Sequence, residues 1–171
     1  RARSAPPSTY RPASDSDAVA LTPTDRSAAI QATVASAAMV AFQIAGKATR
    51  DAWYLSTFEV GTLPRMVIAA AILSALAAFG LSRVLARLGP GRLIPPLFGL
   101  SALLLLLEWS FADTAKRAVA VLFYLHFSAL GALLVSGFWA MVAERFDPRA
   151  ARGTIGRITA GASVGGLIGG I

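Results

Sequence analysis

Residues 44–58 read IAGKATRDAWYLSTF. Upstream, nothing between Ser27 and Gly46 carries a charge, and then Lys47, Arg50 and Asp51 arrive together. Downstream, Ala52 to Phe58 is apolar again, apart from Ser56 and Thr57. A helix ending near Gly46 would leave the three charges at a membrane surface. A helix that continues carries them into its own interior. No Gly or Pro interrupts Lys47 to Val60, so the spacing predicts a helix that runs on to about Phe58.

On that helix Gln43, Lys47, Arg50 and Tyr54 fall at i, i+4, i+7 and i+11, and Ser36 extends the same face. A polar stripe on an apolar span faces a partner helix or a water-filled cavity, because facing lipid costs several kcal/mol per charge. Asp51 is placed to pair with Arg50 beside it or with Lys47 four residues earlier. The stripe therefore reads as an anion-binding patch lining a substrate path: Arg50 and Lys47 supply charge, and Gln43, Asp51 and Tyr54 flank them. The competing reading puts the charges among lipid headgroups, with Trp53 and Tyr54 as interfacial aromatics.

The whole chain has the balance of a membrane protein. Apolar residues make up 56 %, charged residues 15 %, and the mean hydropathy is +0.62. Soluble domains carry about 25 % charged residues. The net charge of +7 is spread between apolar runs, which fits membrane topology and not nucleic-acid binding. There is no cysteine, hence no disulfide framework or thiolate metal site. No P-loop, metal-spaced ligand cluster or Ser-His-Asp grouping stands out, so no metal, cofactor or enzymatic chemistry is expected.

Residues 1–25, rich in proline, serine and alternating charge, read as a disordered tail without a secretory signal. Residues 26–171 read as one transmembrane domain. A spanning helix needs about 20 mostly apolar residues, and five segments qualify, at about 27–58, 64–82, 93–111, 118–143 and 150–171. Thr24 or Asp25 is the expected N-cap of the first. LARLGPGRL (85–93) and ERFDPRAARG (144–153) are tight polar links. The segments are too long for barrel strands, which makes this an all-α polytopic bundle. The chain opens at Arg1 and stops at Ile171 within an apolar, glycine-dense run, so a fragment with a truncated fifth helix is expected.

Most of the 16 Lys and Arg fall in the tail, in the link after the second helix, and around the link after the fourth. Lys47, Arg50, Arg65, Lys116 and Arg117 form the smaller, opposite group. The richer side is expected to be cytoplasmic, with the N-terminus inside.

Three further features stand out. GASVGGLIGGI (161–171) sets Gly161, Gly165 and Gly169 four apart, and Gly166 and Gly170 likewise, which predicts close helix packing. His126 is alone on the fourth helix and reads as a packing histidine or a proton relay. Glu108, near the end of the third helix, is expected to pair at the interface with Lys116 or Arg117.

Together these features resemble the first half of a major facilitator superfamily transporter. GASVGGLIGG is similar to that superfamily's fifth-helix antiporter motif, with Gly166 where a proline is usual. LARLGPGR resembles its motif between helices two and three, with Ala86 near the place of the usual aspartate. A closer resemblance is to the ATP:ADP antiporter family of nucleotide translocases. It is carried by ATRDAWYLSTFEVGTLP (48–64) and FWAMVAERFDPRAARGTIGRITAGASVGG (138–166). That resemblance covers about residues 40–171. It implies twelve helices in two halves, a bacterial inner membrane, and exchange of ATP, ADP or a related organic anion. Arg50 stands where the family places its functional basic residue, usually Lys in characterised nucleotide carriers. The lipid bilayer, the anionic substrate and the remaining helices of the full-length protein are the implied partners. The alternative is a transporter-derived sensor or anchor joined to a soluble regulatory domain.

Overall fold

The structure, a computed structural model, describes residues 23–146 and 148–171, with side chains from 26 to 146 and from 154 onward. Most of the expected tail lies outside the described residues. Among those described there is no strand. Five helices follow in order: α1 Pro23–Thr57, α2 Leu63–Leu88, α3 Pro90–Ser110, α4 Lys116–Arg145 and α5 Pro148–Gly169. A single 3₁₀ turn, Val60–Thr62, joins α1 to α2. Four helical stretches are long and apolar enough to cross a membrane: Arg26–Thr57, Val60–Leu88, Pro90–Ser110 and Lys116–Arg145.

The helix carrying the opening sequence does not stop at Gly46. It is 35 residues long and passes through Lys47, Arg50 and Asp51 without a break. The second boundary is sharper than the sequence implied. The polar link 85–93 shrinks to Gly89, which has φ +74° and ψ 155°. Only glycine adopts that conformation readily, and Pro90 then opens α3 with a ring preset for a first turn. Pro95 and Pro96 consequently sit in the second turn of α3.

α4 is the hub. It touches α1, α2 and α3, and its buried residues run along the whole helix, from Val119 to Val142. α1 runs antiparallel to it: Gln43 meets Gly131, Arg50 meets Ser128, and Trp53 meets Phe123. α3 is antiparallel to it as well, with Ser101 at His126 and Ile94 at Gly137. α2 is peripheral, burying only Met66 and Ala70, against Tyr54 and Tyr124. Its Val67, Ile68, Ile72, Leu76 and Phe79 point outward, the face expected to meet acyl chains.

α5 packs on α1 along a seam of missing Cβ atoms. A Cβ at Gly161 would lie 2.6 Å from the Thr33 carbonyl oxygen. One at Gly165 would collide with the Ala37 backbone, and one at Gly169 with that of Ala41. Both sequences advance together, so the two helices are parallel. Ser36, fully buried, donates to the Ile158 carbonyl at 2.7 Å. The other two glycines lie off the seam. Gly166 faces Ile44 and Val40 at ordinary distances, and Gly170 meets only its own helix.

Candidate functional site

Arg50 projects from α1 toward α4. Its Nη1 donates to Ser128 Oγ at 2.7 Å, its Nε donates to Asp51 Oδ1 at 2.9 Å, and its Nη2 lies 2.8 Å from the same oxygen in an ion pair. The guanidinium lies over the Tyr124 ring, 4.2 Å from its centre, a contact worth about 1 kcal/mol when partly desolvated. Ser128 in turn donates its hydroxyl hydrogen bond to the Tyr124 carbonyl at 2.6 Å. The arginine side chain is 15 % exposed and that of Asp51 47 %. Asp51 thus pairs with its neighbour rather than with Lys47.

The depth of this site follows from the helix ruler. Ser128 lies about a dozen residues, roughly 18 Å, from the Lys116 end of α4, and that helix has 30 residues. Arg50 is therefore tied to the middle of α4, while on α1 it stands seven residues before the end at Thr57.

The expected stripe divides. Gln43 is buried and donates to the Gly131 carbonyl at 2.8 Å. Gly131 leaves the space, since a Cβ there would lie 2.8 Å from the amide nitrogen of Gln43. Tyr54 is buried, stacks on Phe58 at 4.8 Å, meets Tyr124 edge-on at 5.2 Å, and donates to Thr62 at 3.2 Å. Lys47 departs from this group and is exposed. α4 covers the Gly46 and Arg50 side of α1, where Gly46 lies against Phe127. α5 covers the opposite side only as far as Ala41 and Ile44, where it ends. Lys47 stands one turn beyond that end.

A cavity of about 620 Å³ lies between α1 and α3 on the floor of α4, bounded by Gln43, Ser101, Phe98, Leu134 and Phe138 among others. Toward the α3–α4 turn follows another of about 480 Å³, bounded by Thr49, Trp53, Glu108, Trp109 and Asp113. Leu105 borders both. Lys47, Arg50, Asp51 and Tyr54 line neither. Gln43 is the one expected site residue that opens onto this cleft.

Beside it is a constellation the sequence reading missed. His126 Nε2 lies 3.0 Å from Ser101 Oγ, and its Nδ1 lies 3.0 and 3.1 Å from the two oxygens of Glu108. Glu108 thus turns inward to His126 and does not take the expected interfacial pair with Lys116 or Arg117. The side chains of His126 and Glu108 are 6 % and 10 % exposed. Ser101 and Glu108 stand seven residues apart, one face of α3, which was the available signal. The connectivity is that of a nucleophile, base and orienting carboxylate. An acyl-transfer site would also need N–H donors for an oxyanion. Ser101 lies mid-helix, where backbone N–H groups are already bonded along the helix. The cluster is better suited to holding a proton than to attacking a carbonyl.

No family model, curated protein or solved structure matches this chain.

Proposed function

We propose that this chain is the N-terminal part of a major-facilitator-type transporter that exchanges nucleotides or related organic anions across a bacterial inner membrane. The observation that carries the proposal is Arg50, a permanently charged side chain held against the middle of α4 by Ser128 and Tyr124 and paired with Asp51. Its planar fork donates parallel hydrogen bonds of the kind phosphate oxygens accept. Asp51 takes part of that capacity, so an incoming phosphate would compete with a carboxylate that is half exposed. Exposed Lys47, one turn away, adds a second positive charge.

The packing order supports the architecture. α5 lies on α1, α2 lies on α4, and α1 lies on α4. Exchanging α1 with α4 and α2 with α5 maps these contacts onto one another. That is the pattern of a 3+3 inverted repeat, whose substrate sites lie near the midplane. A phosphate chain needs several donors, and one helix supplies too few; helices of a second half would provide the others.

The second reading, a membrane sensor or anchor feeding a soluble regulatory domain, draws on two observations. Arg50 is already neutralised by Asp51, and the α1–α3 cleft, which Arg50 does not line, is largely apolar.

The test uses the full-length protein in liposomes loaded with ADP and given labelled ATP. Exchange is expected, with a loss of about tenfold or more for Arg50→Ala, the cost of one charge-assisted contact. Equal exchange by both proteins would remove Arg50 from the mechanism. No exchange by the unmodified protein would overturn nucleotide transport.

A further inference from the structure

We infer that Ser101, His126 and Glu108 form a proton-binding site, independent of the nature of any transported solute. Three observations converge. The imidazole is held at both nitrogens, by a carboxylate on one side and a hydroxyl on the other. The pair is almost wholly buried among apolar side chains, including Leu73, Leu104 and Leu122 on the wall of a cavity of about 500 Å³. The cluster also opens onto the α1–α3 cleft, Glu108 at the cavity nearer the α3–α4 turn and Ser101 at the deeper one.

The chemistry balances with a single proton. In the empty state, Nδ1–H donates to the Glu108 carboxylate and Ser101 O–H donates to bare Nε2, giving the cluster a charge of minus one. In the loaded state a proton sits on Nε2, which then donates to Ser101 Oγ, and the cluster is neutral. Only one N–H bond is made. A serine hydroxyl donates or accepts equally well, so every hydrogen bond survives the change and little else has to move. A neutral cluster is the form apolar surroundings favour.

The charged neighbours leave that assignment intact. On α1, Arg50 is engaged by Asp51 and Ser128, and Tyr54 by Thr62. α2 offers Leu73 to the nearby wall, and its arginines 65, 83 and 87 stand toward its ends. On α4, Tyr124 faces Arg50 and Tyr54, and Lys116 and Arg117 occupy the first turn. Asp113, exposed in the turn before α4, borders the same cavity as Glu108.

The experiment is ¹⁵N NMR of histidine-labelled full-length protein in lipid nanodiscs. The His126 signals are identified by their loss in His126→Gln. As the pH is lowered across a series, Nε2 is expected to change from a bare ring nitrogen to an N–H while Nδ1 stays protonated. Glu108→Gln is expected to weaken proton binding about tenfold or more, because the compensating anion is gone. Ser101→Ala is expected to displace the Nε2 signal at both ends of the titration. An Nε2 signal in one form throughout overturns the proposal on the unmodified protein alone. So does a titration that Glu108→Gln leaves unchanged, or an Nε2 signal indifferent to Ser101→Ala.

Discussion

α1 is held from two sides by opposite means. Toward α5 the contact is made by subtraction: three glycines let a backbone rest on Thr33, Ala37 and Ala41, and Ser36 adds one hydrogen bond. Toward α4 the contact is made by addition: aromatic rings, an arginine, an aspartate and a glutamine fill the space between the helices. In lipid, apolar side chains gain little by leaving one apolar environment for another, so close backbone approach and polar pairing carry the association. The two sides differ in what they tolerate. The first is intolerant of volume and indifferent to charge. The second absorbs changes in volume, through side chains that can move, but is exposed to any loss of charge balance.

The largest break in that contrast is expected from Gly165→Leu. The new side chain meets the Ala37 backbone, which has no rotamer to yield, and the cost should reach about 3 kcal/mol or more. Thermal unfolding in bicelles would measure it. Gly131→Ala on the α4 side is the control, because the atoms it meets are the amide end of Gln43, a movable side chain. A Gly131→Ala protein as damaged as Gly165→Leu would erase the distinction.

Next comes Arg50→Met. It keeps volume and leaves Asp51 without its partner. Because Asp51 is half exposed, water offsets part of the loss, and about 1–2 kcal/mol is expected. Adding Asp51→Asn should recover most of that. A double variant no more stable than the single would mean that charge balance is not what the α4 side depends on.

Ser36→Ala should cost about 0.6 kcal/mol, the mean found for hydrogen bonds between membrane helices. Smallest of all, Gly166→Ala should fall within about 0.5 kcal/mol, as expected away from strained contacts, since its Cβ would meet Ile44 and Val40 at 3.4 and 3.7 Å. A large loss there would show that the seam is wider than the Gly161, Gly165 and Gly169 row.

The five helices were legible in the sequence to within a few residues at most ends, because long apolar runs and the Pro and Gly signals leave few alternatives. The continuation of α1 through Lys47, Arg50 and Asp51 was legible for the same reason: nothing there breaks a helix. The link after α2 was read as longer than it is, since a single glycine at φ +74° does the turning. The site was only partly legible. Spacing put Gln43, Arg50 and Tyr54 on one face, and α4 buries them together. Lys47 shares that face by angle, but its exposure depends on where α5 ends in space, which no local pattern encodes. Ser101, His126 and Glu108 were missed because α3 is apolar nearly all round. Its rotation against α4, and so the meeting of Glu108 with His126, is set by packing and not by periodicity.

Gly89 joins a 26-residue rod to a 21-residue rod with nothing between them. A joint of one residue has no slack. The last turn of α2 and the first turn of α3 must therefore keep their distance whatever either rod does further along. Longer tethers would let each end drift alone; here one end cannot be displaced without the other.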